Sequence, residues 1–253
     1  MNDVIGARTM SSTETDFELA ARIAHVKPLN GLLEKISPRH TALVVIDMQN
    51  DFIAPEGLIG KEGRDVSQAQ AMALQLPKLL ETARAASVFV VFVRNVYTTE
   101  NNFYLSDVWL EQAARKRAGG YTRIPVCSEN SWAGDFYGDV RPSPGEPIVT
   151  KHRYSAFYNT DLDTILRANG IRTVVLTGVV TNVCVETTAR EAFVRDYYVV
   201  LVKDGTAAYS QADHEMTVQN VDRFFGEVSS IAELNTVWPP RNRSTERRWG
   251  TDE

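Results

Sequence analysis

Cysteine is scarce in this chain: Cys127 and Cys184 are the only two among 253 residues. Two cannot build a disulfide framework, and neither lies in a Cys-x-x-Cys pair or beside a histidine at zinc-ligand spacing, so redox-pair and structural-zinc chemistry have no motif to rest on. Long apolar runs are missing as well. No window approaches the roughly 18 consecutive apolar residues of a membrane span, and the opening residues carry acids and no apolar stretch ending in a small-residue cleavage site. A soluble, cytoplasmic protein is the expectation. Basic charge is in deficit, with 27 Lys and Arg against 32 Asp and Glu for a net charge of −5. Broad nucleic-acid binding needs a concentrated basic surface that displaces counterions, so the expected partner is a small molecule, with neither nucleic acid nor membrane involved. The one basic cluster, RNRSTERRWGTDE from Arg241, follows Pro239 and Pro240 without apolar periodicity and reads as a solvated tail.

What is present is a regular alternation. ALVVIDM, SVFVVFVRN, PIVTK, RTVVLTG and YYVVLVKDG are short runs apolar at nearly every position, and GEVSS is a possible sixth. Such runs need cover on both faces, which is the signature of a parallel sheet between helices. The intervening segments supply the helices. VSQAQAMALQLPKLLETARAAS contains Pro77, which marks either a kink or a fresh first turn. TDLDTILRANG is capped by Thr160 and closed by Gly170. In TNVCVETTAREAFVRDY, Val185, Ala189, Ala192 and Phe193 form an inward stripe. The fold class expected is α/β: a three-layer α/β/α domain around a mostly parallel six-stranded sheet with right-handed crossovers and Rossmann-like topology. Residues 1–38 form an accessory N-terminal arm, in which Thr13 caps a weak helix with Phe17, Ala20, Ala21 and Ala24 on one face; 39–235 form the domain, and 236–253 a flexible C-terminal tail.

Ligands of open parallel sheets sit outside the carboxyl ends of the strands. Asp47 ends the first strand, Lys151 ends the third, and Cys184 follows the fourth by a few residues. Singly each has a bland explanation, as a turn residue, a surface lysine and a small core residue. Together at one rim they suit nucleophilic catalysis. With Thr181 as the helix cap, Cys184 falls in the first turn, where unsatisfied N–H groups, the helix dipole and the Lys151 ammonium favour a thiolate of lowered pKa. Asp47 would take the thiol proton and return it to a departing amine. Backbone N–H groups around Val180 and Cys184 would bind the oxyanion of a tetrahedral intermediate.

The stretches ALVVIDMQNDF, KHRYSAFYNTDLDTILRANGIRTVVLTGVVTNVCVETTAREA and VVLVKDGTAA closely resemble the isochorismatase-like cysteine hydrolases over roughly residues 38–235. The strand-ending Asp, the Lys shortly before an aromatic and the Gly-x-x-Thr-x-x-Cys segment stand in the family's order and spacing. The match is similar above all to the ureidoacrylate amidohydrolase branch, with biuret and triuret hydrolases and N-carbamoylsarcosine amidohydrolase as relatives. The resemblance implies a catalytic triad of Asp47, Lys151 and Cys184 and a cis peptide between Val179 and Val180 that aims the Val180 N–H beside that of Cys184. It matches Asn95, Tyr97 and Tyr154 to substrate-contacting pocket positions, against the alternatives of loop structure for Asn95 and core packing for Tyr97 and Tyr154. It also implies a homo-oligomer. The activity it implies is cysteine-dependent hydrolysis of a small ureido or carbamoyl amide, with biuret, triuret or an N-carbamoyl amino acid as alternative substrates.

Some family features are missing. Nicotinamidase relatives hold a metal on an Asp and two His after the second strand, where this chain has RNVYTTENNFYL and no histidine between His40 and His152. No metal and no cofactor are therefore expected. True isochorismatases lack the cysteine at this position, so Cys184 argues against vinyl-ether cleavage. Neighbours in a strand point to opposite faces, which separates His152 from Lys151 and disfavours a Cys–His dyad. Cys127 reads as a packing or lining residue, and Asp204 with Gly205 as a turn after the fifth strand. Trp109, Glu111 and Trp132 fall in the segment 100–140, the place for a specificity lid. A non-catalytic binding protein on the same fold and a thiol redox sensor, with Cys127 as a spatial partner, complete the alternatives.

Overall fold

The computed structural model describes residues 24–116 and 126–238. The arm helix through Phe17, Ala20 and Ala21 and the basic tail from Arg241 lie outside the described residues. Six strands form one sheet: β1 Thr41–Ile46, β2 Phe89–Asn95, β3 Ile148–Lys151, β4 Thr173–Val179, β5 Tyr198–Ala207 and β6 Glu227–Ser229. Every pairing is parallel, in the order β3-β2-β1-β4-β5-β6. The chain runs outward from β1 to β3 on one side, then returns to β4 on the other. β1 and β4 therefore flank the switch point where such sheets open a crevice.

The apolar runs are buried on both faces because alternate residues enter different cores. Leu43, Val45, Val90 and Phe92 join α1 (Ser67–Ala73), α2 (Leu76–Ala85) and α3 (Asp107–Lys116) in one layer. Ala42, Val44, Val91 and Val93 join α4 (Leu162–Ala168) and α5 (Glu186–Val194) in the other. Later in the chain, α6 (Gln211–Asn220) follows β5 and α7 (Ile231–Val237) follows β6. The architecture is a three-layer α/β/α domain. Among the described residues, no helix is long and apolar enough to cross a membrane.

Several local expectations change in detail. Pro77 starts a separate helix, at a position where its missing N–H costs nothing. The α4 cap position belongs to Asp161, although the Thr160 hydroxyl still accepts the Leu162 N–H at 3.2 Å. Gly170 adopts φ +67°, as expected of a left-handed helix end. Asp204 and Gly205 do not end β5: the strand bulges there by three extra residues and pairs again at Thr206 with Gly178, and Asp204 Oδ1 accepts the Ile231 N–H at the start of α7. Phe193 turns outward, 48% exposed, against the edge of the Phe225 ring, so the inward stripe of α5 is Val185, Ala189 and Ala192. At the end of α7, Trp238 is fully buried and donates its indole N–H to the Ile36 carbonyl at 2.8 Å, packing both residues onto the core.

Candidate active site

The site is assembled where β1, β3 and β4 end. Asp47 follows β1 in a left-handed conformation, φ 51°, which a short polar side chain tolerates, and its N–H donates to Val93 O at 2.9 Å. This turn directs the carboxylate inward, leaving Asp47 only 1% exposed. Asn95 lies in register with Lys151 on the neighbouring strands, and the Gln49 side chain clamps Asn95 by donating to its carbonyl and accepting its N–H.

Gly178 makes the approach of β4 possible. At φ +107°, it sits where a Cβ would come within 2.0 Å of the Ile46 carbonyl oxygen, so only glycine allows β4 to lie this close to β1. A cis peptide follows between Val179 and Val180. The chain then forms a wide π-helical turn, Thr181–Val185, that runs directly into α5. The Val180 carbonyl accepts the N–H groups of Val183 at 3.0 Å and Val185 at 3.2 Å, a pattern that skips Cys184. Thr181 does not cap this turn; its hydroxyl bonds His214 Nδ1 at 3.0 Å and ties the turn to α6. The carbonyl of Cys184 is held from the other side by the Thr188 hydroxyl at 2.7 Å.

Lys151 is completely buried, and its ammonium faces three acceptors. Asp47 Oδ2 lies at 2.8 Å, a close ion pair rather than an aligned hydrogen bond, with Arg153 O at 3.1 Å and Cys184 Sγ at 3.4 Å. Asp47 and Cys184 meet at the same ammonium. The structure thus brings Asp47, Lys151 and Cys184 into one buried contact cluster. Burial pushes the Asp47 carboxyl above its ordinary range, and Lys151 holds that rise in check. Burial also opposes the Lys151 charge, but the adjacent Asp47 and Cys184 outweigh it and keep the ammonium protonated.

The expectation of a resting thiolate is overturned. Burial pushes the Cys184 thiol up to about 12; Lys151 opposes this shift and the Asp47 charge reinforces it. The π-helical turn and the closed surroundings explain the difference, since a helix start stabilises a thiolate best when solvent also reaches it. Alkylation of Cys184 by iodoacetamide in the free protein is therefore expected to climb about tenfold per pH unit between about pH 7 and pH 10. A plateau below about pH 8 would indicate a preformed thiolate instead.

A cavity of about 320 Å³ opens onto the cluster, and Cys184, Val180, Tyr97 and Tyr154 line it. Asn95, in contrast, is not among the lining residues: it is fully buried, with its side-chain oxygen and nitrogen unpartnered among the described residues. Of the lid candidates, Trp109 packs on Tyr97 and Tyr154 at ring separations of 5.7 and 4.8 Å, under the Arg153 guanidinium. Glu111 points to solvent beside Arg115, and Trp132 is 55% exposed. His152 is turned away from the cluster, bonded to Val96 O and stacked on Tyr104. Cys127 is buried, with its N–H on Asp51 Oδ2 at 2.7 Å. Among the described residues, no group of His, Cys, Asp and Glu is arranged to hold a metal. Sequence reasoning missed Arg64, Asn182, Tyr209 and Asp213, which also line the cavity. Asn182 stands at the turn after β4, and Tyr209 and Asp213 flank the start of α6, so strand-end and helix-start signals could have found these three, whereas Arg64 follows a short helix and carries neither.

Residues 41–233 match the isochorismatase domain model. The chain belongs to the isochorismatase family. It is 34% identical over 210 residues to the ureidoacrylate amidohydrolase RutB of Variovorax paradoxus, covering 79% of this chain and 82% of that one. In three dimensions it resembles a cysteine hydrolase from Pseudomonas syringae pv. phaseolicola at TM-score 0.71 and 31% identity, covering 83% and 97% of the two chains. It also resembles N-carbamoylsarcosine amidase from Thermoplasma acidophilum at TM-score 0.59 and 30% identity, covering 76% and 96%.

Proposed function

We propose that this member of the isochorismatase family is an amidohydrolase that cleaves the C–N bond of a small ureido or carbamoyl compound, ureidoacrylate or a close analogue, through a covalent cysteine intermediate. The observation that carries this reading is the buried contact cluster of Asp47, Lys151 and Cys184, which meets a small cavity at Cys184. Similarity to amidohydrolases acting on ureidoacrylate and N-carbamoylsarcosine supports the substrate class.

In this mechanism Asp47 accepts the Sγ proton as Cys184 attacks the carbonyl. Both groups have raised proton affinities, so the transfer is concerted with attack and no free thiolate accumulates. The oxyanion of the tetrahedral intermediate is held by the N–H groups of Val180 and Cys184. Its collapse breaks the C–N bond, and Asp47 delivers the proton to the departing nitrogen. Asp47 next deprotonates water, which attacks the carbamoyl thioester. Carbamate leaves, decomposing to ammonia and carbon dioxide, and the thiol is restored. Lys151 keeps Asp47 in place and stabilises charge on sulfur throughout. The unpartnered amide of Asn95, with Tyr97 and Tyr154, supplies polar contacts suited to a urea group.

Ammonia release from ureidoacrylate, biuret, triuret, N-carbamoyl amino acids and simple amides tests this reading. A ureido or N-carbamoyl acid is expected to give the highest kcat/KM, by about tenfold or more over simple amides. Turnover confined to simple amides, or absent from the whole panel, would sink it.

A further inference from the structure

We propose that Arg64 is the specificity residue of the Cys184 cavity, pairing with a single carboxylate that the substrate carries a few bonds from its scissile carbonyl. This rests on the reading that the cavity presents an amide to Cys184, and it adds the charge of the rest of the molecule. Lys151 cannot serve that end of the substrate, because its ammonium is fully buried and committed to Asp47, Arg153 O and Cys184 Sγ. Among the described lining residues, Arg64 is the one remaining cation.

The local structure holds Arg64 at the cavity with its donors available. The short helix Leu58–Lys61 ends in Gly63 at φ +76°, and the Arg64 N–H closes back onto Ile59 O at 3.2 Å. Ile59 and Arg64 thereby line the same cavity. The guanidinium has five N–H donors in a planar fork matched to a carboxylate. Its ion pair is with Glu62, at 3.7 Å from Nε and 45% exposed on the arginine side, too long and too wet to occupy the fork.

Two acids share the rim, and they limit the charge the site accepts. Asp65 is turned onto its own helix start, where Oδ1 accepts the Ser67 N–H at 2.9 Å. Asp213 lies in the first turn of α6, where the Ser210 hydroxyl accepts its N–H and the helix dipole offsets its charge. With Asp65 and Asp213 against Arg64 the lining carries one net negative charge, so a carboxylate is held only by pairing directly with the guanidinium, and a second carboxylate on the substrate would find no partner. The cavity volume of about 320 Å³ sets the remaining limit, a compact acid rather than a peptide.

The experiment compares 3-ureidopropionate with its neutral amide and with 2-aminoethylurea, whose substituent is cationic, on the full chain and on Arg64→Gln and Arg64→Lys. Binding is read as protection of Cys184 from iodoacetamide, which needs no turnover, and catalysis as ammonia release. Arg64→Gln is expected to raise the half-protecting concentration and the KM of the acid about 10- to 100-fold with kcat nearly unchanged, leave the neutral amide unaffected, and be partly rescued by Arg64→Lys. Equal effects on acid and amide, no effect on either, or a wild-type preference for the amide or the amine would overturn the role of Arg64 while leaving amide hydrolysis intact. Acid-specific protection that Arg64→Gln abolishes, without ammonia release from any ureido compound, would support Arg64 and overturn the hydrolytic reading instead.

Discussion

Replacement of Cys184 by Ala is expected to lower kcat/KM by at least about 10⁴-fold while leaving the fold intact. The thiol is the nucleophile in the proposed mechanism, and no other group in the cluster can form the covalent intermediate. Asp47 is held by Lys151, and Cys127 is buried on a different loop with its thiol pushed well above its ordinary value by burial. Loss of one small, nearly buried side chain costs little packing, since alanine fills most of the same volume. Cys184→Ser is the sharper control. A hydroxyl keeps the shape but its proton is far harder for a carboxylate to remove, so a comparable loss is expected. Turnover within about tenfold of wild type in either variant would exclude covalent catalysis at this position.

Lys151→Met is expected to destabilise the protein by about 3–5 kcal/mol and lower its Tm by about 6–20 °C, besides abolishing turnover. Lys151 and Asp47 are both essentially inaccessible, so removing the ammonium leaves a buried carboxylate with no counter-charge. The sign with pH follows from that group. With Lys151 gone, the Asp47 pKa rises further above its unfolded value, because the opposing charge that limited the rise is lost. A raised carboxyl contributes stability at low pH and loses it as pH climbs through the folded pKa. The deficit of Lys151→Met should therefore be smallest in acid and grow toward neutral pH. Asp47→Leu combined with Lys151→Met removes both charges and should recover most of the stability and none of the activity. Thermal melts across pH compare both variants with the wild type. A single-variant cost under about 1 kcal/mol would mean that water reaches the pair freely.

Much of the scaffold was legible because burial on both faces leaves a plain signature. Runs such as LVVI in β1 and VVL in β4 are apolar throughout, and their alternate residues do fill different cores. The expected positions of Asp47, Lys151 and Cys184 at one rim follow from the same pattern, since strand ends in a parallel sheet share an edge. The errors have a common origin. Asp204-Gly205 resembles a turn in isolation, and only renewed pairing with Gly178 carries β5 past it. Phe193 obeys helical periodicity, but the surface of α5 at that point meets solvent and Phe225 instead of the core. Thr181 resembles a cap, yet the backbone after the cis peptide makes a wider turn and commits the hydroxyl to His214.

Sequence by itself determined the fold class, the order of strands and helices, and which acid, base and thiol could meet, because hydrophobic periodicity and residue chemistry are local properties. Tertiary structure decided how they meet. Whether Cys184 is acidic or basic depends on how much water and which charges surround it, and the closure of β1, β3 and β4 around the thiol pushes its proton affinity up, against the local helix-start argument. Arg64 carries no catalytic signal in its own segment; only the turn at Gly63 brings it to the cavity of a cysteine far along the chain. Burial and long-range proximity are properties of the folded chain, and the charge environment that governs the site is set there.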